Sequence, residues 1–366
     1  MPLEEHLEAR TSIKKLRVLI VHSVYQTEGG EELAVKIEDE ALRARGVSVK
    51  VLLRTSDSTH KAKLAAGLFM KGNASKELSD TLKAFDPHVV HFHNIMPHWG
   101  YGSLGTAMQW ALPRGRRIFS TIHNQRWTCS NGLFFRNGKH CQLCFDRNNP
   151  LWGAVFNCRQ NYPQSLLYST SISWAHARGY YNHPSHTLIA LNEITARRLK
   201  QVFPVAKTTF LANPVHLPLI SEMEDFGDLP PWEGRRFAII GRLSTEKGIL
   251  KVLSKLPHGE ETQFVIAGTG PLRYEVENAA AHCKRILYLG HIPQLKVAQL
   301  LRKVDALFFS SIVEEQSPSV VRLAYKLGIP IYGWQGPVTE NQLASWGPVF
   351  NKELWIQKLL TLFGYK

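Results

Sequence analysis

The run GRLSTEKG, Gly241 to Gly248, sets two cations, Arg242 and Lys247, among glycines and hydroxyl residues. It follows an apolar strand, Phe237 to Ile240, and leads into a helix-like run from Gly248. Strand ends beside helix starts are where open α/β sheets bind ligands, and phosphate is the ligand favoured there. Two cations at one mouth point to two phosphates, hence to a diphosphate leaving group. Breaking a bond to a diphosphate builds negative charge on the departing oxygen, which fixed cations stabilise without reorganising.

Two more turns carry the same kind of chemistry. In AGTGP, Ala267 to Pro271, Gly268 and Gly270 allow close backbone approach after a strand, and Pro271 suits a first helical position. In VEEQSPSVV, Val313 to Val321, Glu315 stands at a strand end ahead of Gln316, Ser317 and Pro318. A carboxylate there either accepts hydrogen bonds from ligand hydroxyls or supports a helix dipole.

Earlier in the chain, His93 in VVHFHN and His123 in STIHN end successive strands. A strand-end imidazole can bond a sugar hydroxyl or a phosphate, and it titrates near neutrality. His22, His88, His91 and His98 have weaker claims. Four cysteines, Cys129, Cys141, Cys144 and Cys158, form a C-x11-C-x2-C-x13-C pattern. That spacing suits one tetrahedral structural zinc, with structural thiols or a disulfide as alternatives. Four ligands would close the shell, so a catalytic metal is not expected. Cys283 reads as a small core residue.

These residues need a scaffold of two open sheets. Strands are expected at Leu16–Val21, Val47–Leu53, Val89–His93, Ile118–Ile122, Thr187–Leu191 and Thr208–Leu211. An amphipathic helix over Glu31–Arg45 carries Leu33, Ile37 and Ala41 at spacings of four. A proline-rich, acidic stretch over 214–232 reads as a linker. The alternation then restarts at Phe237–Ile240, Gln263–Ala267, Ile286–Leu289, Ala306–Phe309 and Ile329–Tyr332, and a last helix covers Lys352–Leu362. The expected fold is α/β, two doubly wound Rossmann-like domains facing a cleft. The domains are 1–213 and 233–350, with the helix in 351–366 expected to return to the first.

In this order the turns resemble the donor half of retaining glycosyltransferases of the GT-B fold, specifically the large family 4. The likeness spans nearly the whole chain. It is carried by VHSVYQTEGGEE (21–32), IGRLSTEKG (240–248), IAGTGP (266–271), LYLGHI (287–292) and EEQSPSVVRLAYKLGIPI (314–331). The Cys-rich region, TIHNQRWTCSNGLFFRNGKHCQLC with NPLWGAVFNC, resembles one branch of that family. The resemblance implies that Arg242 and Lys247 hold the diphosphate of a nucleotide sugar and that Glu315, Gln316 and Ser317 contact its sugar. It implies further that His123 lies against that sugar and that Gly29 and Gly30 approach the donor. No Asp-x-Asp is present, so catalysis is expected to need no metal and no cofactor. One departure stands out: the family's second Glu, eight residues beyond Glu315, is Leu323 here. A ribose contact is thereby lost, which leaves either an enzyme with altered donor contacts or a non-catalytic relative.

The net charge of +14 is uneven. Residues 101–215 hold 13 Lys/Arg against 2 Asp/Glu, which points to an anionic membrane surface or a lipid-linked or saccharide acceptor. The segments 61–72 and 165–181 are candidates to lie on a bilayer or to be partly buried helices. Nucleic acid is not expected as a partner, because it leaves the donor-side turns unexplained. With no membrane-spanning run and an acidic, polar start, the expectation is a cytoplasmic protein, peripheral at the inner membrane face.

Overall fold

The computed structural model describes residues 15–24, 29–55, 68–69, 73–215, 226–255, 262–337 and 352–365. Within them lie two compact units, one from the first half of the chain plus the C-terminal segment, the other from the rest and Phe135–Cys141.

The first unit is built on a six-stranded parallel sheet. Its strands are β1 (Arg17–Ser23), β2 (Ser48–Arg54), β3 (Val89–Phe92), β4 (Arg117–Ile122), β7 (His186–Ala190) and β8 (Lys207–Phe210), in the order β2-β1-β3-β4-β7-β8. The intervening β5 (Phe135–Arg136) and β6 (Lys139–His140) form a separate antiparallel hairpin that the sequence reading did not foresee. Alternation along β1 feeds two cores. Leu19 and Val21 pack on one face with Leu78, Leu82 and Leu104. Val18 and Ile20 pack on the other with Ala41, Leu42 and the C-terminal helix Lys352–Leu362, through Trp355, Ile356, Leu359 and Leu360. Arg117 donates to the Phe363 carbonyl at the end of that helix. The helix Tyr162–Ala177 buries Tyr168, Ile172 and Ala175 and leaves Leu166 exposed, so it is partly buried. Of the 61–72 segment, all but Leu68 and Phe69 lies outside the described residues, as does much of the 214–232 stretch.

The second unit repeats the plan. Its strands are β9 (Arg235–Ile240), β10 (Thr262–Ala267), β11 (Ile286–Tyr288), β12 (Ala306–Phe308), β13 (Ile331–Gly333) and β14 (Gly336–Pro337), in the order β11-β10-β9-β12-β13-β14. All pair in parallel except β13 with β14. Strand β13 begins two residues later than the sequence suggests, because Pro330 has no N–H to give a ladder. Its carbonyl still accepts from the Leu307 amide at 2.9 Å. In both sheets the order reverses beside the first strand, between β1 and β3 and between β9 and β12. Such switch points open a crevice at the carboxyl ends of the strands, where ligands bind.

Candidate functional site

In the second unit, the turn after β9 and the turn after β12 flank the switch point. The run after Gly241 is a 3-10 turn, Thr245–Lys247, followed by the short helix Ile249–Ser254, so the cations sit on a turn and not on a long helix. Lys247 donates to Glu315, which also accepts from the Ser311 hydroxyl at 2.8 Å. Arg242 donates to Glu246 at 2.6 Å, and Ser244 donates to the same carboxylate oxygen at 2.7 Å. Burial raises the Glu246 pKa, but the Ser244 hydrogen bond and Arg242 together outweigh it and hold the carboxyl below its ordinary value. The site is therefore two cations held by two carboxylates on adjacent turns. Glu246 was missed from sequence, although its spacing of four from Arg242 is the signal for such a pair.

The glycines of the third turn serve the site indirectly. A Cβ at Gly268 would stand 1.9 Å from the Gly241 carbonyl oxygen, and one at Gly270 would stand 2.4 Å from that of Leu243. Amide-to-carbonyl bonds lock the two turns: Gly241 to Ala267 at 3.0 Å, Leu243 to Thr269 at 2.9 Å and Leu272 to Leu243 at 3.0 Å. The close approach that Gly268 and Gly270 permit is thus of one turn to another. Gln316 is buried and Ser317 half-buried, both next to Glu315 in the β12 turn. Leu323 lies on the helix Ser319–Lys326 and is 3% exposed, packed with Val297, Ala298, Leu301 and Val321. This position points into apolar core.

In the first unit, His123 and His93 come together, with His93 Nδ1 2.9 Å from His123 Nε2 and the rings stacked. His93 Nε2 lies 3.0 Å from Glu38 Oε2, and His91 Nδ1 lies 2.6 Å from Glu38 Oε1. The helix Gly30–Ala44 brings Glu38 down on its buried face beside Ala34, Ile37 and Ala41. His91 lies in β3 and His93 directly follows it; two apart along extended chain, they project to the same side. Burial raises the Glu38 pKa, but His91 and His93 outweigh it and bring it down to about 2. Burial and the neighbouring His91 lower His93 to about 4, against the pull of Glu38. Burial, then His93, His22 and His91, lower His123 well below the usual imidazole range. Near neutral pH, Glu38 is an anion and both His93 and His123 are neutral. Glu38 was missed from sequence, yet a carboxylate in the apolar stripe of an amphipathic helix was its visible signal.

The expectation for the glycine loop changes. The Gly29 amide donates to Glu32 at 2.8 Å, and Glu31 and Glu32 occupy the first turn of the helix that follows. Gly30 is the first residue of that helix. Two carboxylates on this helix start disfavour a phosphate there. Glu31 accepts from Asn124 at 3.1 Å, and burial, opposed by Arg126, raises its pKa.

The cysteine pattern does not assemble a metal shell in the first unit. Cys129 donates to Asn131 at 3.0 Å, and Cys144 lies 3.9 Å from the Pro150 carbonyl. Cys129, Cys144 and Cys158 do not bring their sulfurs together. Among the described residues, the group of three metal-ligating types with donor atoms within 4.8 Å of one another is Glu38, His91 and His93. No disulfide joins the described cysteines.

Residues 224–337 match the family model described as "Glycosyl transferases group 1". That segment contains Arg242, Lys247, Glu315 and all three turns. No curated protein sequence matches the chain. Solved structures share its fold at low identity. Sucrose-phosphate synthase from Thermosynechococcus elongatus is 14% identical, with 96% of this chain and 98% of that one covered at a TM-score of 0.63. HepE from Anabaena, solved with UDP, is 12% identical, with 95% and 100% covered at 0.57. The UDP-N-acetylglucosamine 2-epimerase from Rickettsia bellii is 15% identical, with 96% of each chain covered at 0.50. The two doubly wound units are those of GT-B glycosyltransferases, and an epimerase shares them, so the fold alone does not select the reaction. Among the described residues no helix is long and apolar enough to cross a membrane.

Proposed function

We propose that this chain is a glycosyltransferase that takes a sugar from a nucleotide-diphosphate donor held on its second unit. The observation that carries the reading is the pairing of Lys247 with Glu315 across the switch point, beside Arg242 and within the segment that matches group 1 glycosyltransferases. On donor binding, the diphosphate takes the place of the carboxylates as partner of Lys247 and Arg242. Glu315 is then released to accept hydrogen bonds from sugar hydroxyls, with Gln316 and Ser317 beside it. Cationic side chains stabilise the leaving diphosphate, so the reaction needs no catalytic metal. As in the retaining branch that the sequence resembles, the leaving phosphate assists attack on the same face of the sugar, and no protein nucleophile is required. The acceptor is a lipid-linked or growing saccharide. The excess of cations in 101–215 supports an anionic surface as partner, and with it the reading that the protein works at the inner face of a cell membrane.

Incubating the purified protein with UDP-, GDP- and ADP-sugars, and following the anomeric signal by NMR, tests the reaction. Release of sugar with its anomeric configuration kept is the expected result. No turnover with any donor would favour a second reading, a non-catalytic relative that binds a nucleotide or sugar. Leu323 buried in apolar core is the observation on that side, because no carboxylate reaches a ribose from that position.

A further inference from the structure

The first unit holds a continuous chain of polar atoms, Glu38 Oε2 to His93 Nε2 and His93 Nδ1 to His123 Nε2, at 3.0 and 2.9 Å. We propose that Glu38 and His93 are positioning residues that hold His123 in one tautomer, Nε2–H with a bare Nδ1, so that His123 accepts a hydrogen bond from a substrate hydroxyl.

The assignment follows from what each atom can do. A carboxylate only accepts, so His93 Nε2 must carry the proton that Glu38 receives. A neutral imidazole has one N–H, so His93 Nδ1 is then an acceptor. It lies at hydrogen-bond distance from His123 Nε2, which must be the donor. That leaves His123 Nδ1 without a proton. His123 is partly buried, and its Nδ1 bonds no described residue, so that nitrogen is the ring atom left to a substrate hydroxyl. An unprotonated nitrogen accepts from a sugar hydroxyl and repels a phosphate oxygen, so the two partners open to a strand-end histidine reduce to one. The buried position of Glu38, 0% exposed, keeps water from supplying an alternative partner, and its other oxygen is taken by His91. His91 is itself fixed by Thr121 at 2.8 Å. The orienting role of a carboxylate behind a histidine is general.

The substrate half of this inference rests on the glycosyltransferase reading, whereas the tautomer half does not. Nitrogen-15 NMR of the histidine-labelled protein at pH 7 reads the tautomers with no ligand present, with signals assigned through His93→Gln and His123→Asn. The expected spectrum has Nε2 protonated and Nδ1 bare on both rings. In Glu38→Gln, the amide can turn its NH2 towards His93, which reverses or mixes both tautomers. A wild-type His123 with a protonated Nδ1, an imidazolium, or a ring nitrogen bound to zinc would overturn the proposal. So would a folded Glu38→Gln variant with unchanged histidine signals. Where Glu38→Gln fails to fold, the wild-type spectrum and His93→Gln still decide. With a turned-over donor, Glu38→Gln is expected to lower kcat about three- to tenfold, one neutral hydrogen bond, while leaving nucleoside-diphosphate affinity within twofold. An equal loss in diphosphate affinity would count against positioning. Absence of any turnover in the wild type would sink the enzyme reading while leaving the tautomer result standing.

Discussion

Lys247 donates to Glu315, tying the turn after β9 to the turn after β12 across the point where the strand order reverses. The pair is partly buried, with side chains 32% and 16% exposed, so removal of the cation leaves a carboxylate with only Ser311 beside it. Lys247→Ala is expected to weaken nucleoside-diphosphate binding by about 1.5–3 kcal/mol, the range for a hydrogen bond to a charged group. Glu315→Gln should leave diphosphate binding nearly intact and remove the extra affinity of the sugar-bearing donor. Calorimetric titration of both variants with a nucleoside diphosphate and its sugar conjugate separates the two effects. Equal losses for both ligands in Glu315→Gln would contradict a sugar contact.

Leu323 is a core residue and not a vacant ligand position. Leu323→Ala is expected to cost about 2–5 kcal/mol, as for other buried leucines. Leu323→Glu adds a buried charge with no cation provided for it, and should cost at least as much. Urea unfolding of the second unit measures both. A Leu323→Glu variant as stable as wild type, or one that gains turnover, would show that the helix Ser319–Lys326 presents this position to ligand.

The Gly268 site separates turn packing from general loop flexibility. Its φ is +145°, and an added Cβ meets the Gly241 carbonyl, whereas Gly115, at φ +61°, has nothing within 4 Å. Both alanines carry backbone strain of about 1 kcal/mol or more, but Gly268→Ala also forces the two turns apart. It should therefore lose donor binding and at least about 1 kcal/mol more stability than Gly115→Ala. Parallel thermal unfolding and donor titration check this, and equal effects in the two variants would refute the packing role.

Acid should weaken the first unit in two stages. His93 and His186 titrate at about 4 in the folded chain against 6.5 ordinarily, and Glu38 at about 2 against 4.5. A group whose folded pKa is depressed stabilises the fold above its unfolded pKa and loses that contribution as pH falls through the folded one. Stability is then full near neutrality, declines from pH 6.5 towards 4 as the buried histidines resist protonation, and declines again from 4.5 towards 2 through Glu38. His93→Gln should flatten part of the upper stage, with His186, His123 and His176, each also lowered by burial, supplying the rest. Urea midpoints measured from pH 7.5 to 4 for both proteins give the slope. An unchanged slope would remove His93 from this account.

Much of this was legible in the chain because parallel strands bury both faces and read as short apolar runs between turns. Apart from β14, the strands of both sheets and the C-terminal helix fall where runs such as Leu16–Val21, Phe237–Ile240 and Lys352–Leu362 suggested, within a residue or two. The chemistry was legible where it is local. Arg242 and Lys247 lie five residues apart on one turn, and Glu315 stands at a strand end. What stayed hidden depends on packing between distant segments. Glu38 meets His91 and His93 from a helix more than fifty residues away, and a single carboxylate in a stripe gives no partner. The use of Gly268 and Gly270 against other turns looks the same in sequence as their use against a phosphate. Local cysteine spacing gives no three-dimensional distance: among the described residues, the three ligand-type side chains whose donor atoms lie within 4.8 Å of one another are Glu38, His91 and His93, not cysteines.

The central claim, that Arg242 and Lys247 bind the diphosphate of a nucleotide sugar, is tested most directly by thermal unfolding against a panel of UDP-, GDP- and ADP-sugars. The account predicts that at least one donor, at about a hundred times its dissociation constant, adds about 2.7 kcal/mol of stability, and that Arg242→Ala/Lys247→Ala abolishes the gain. No stabilisation by any member of the panel, or a gain that survives in the double variant, would contradict it.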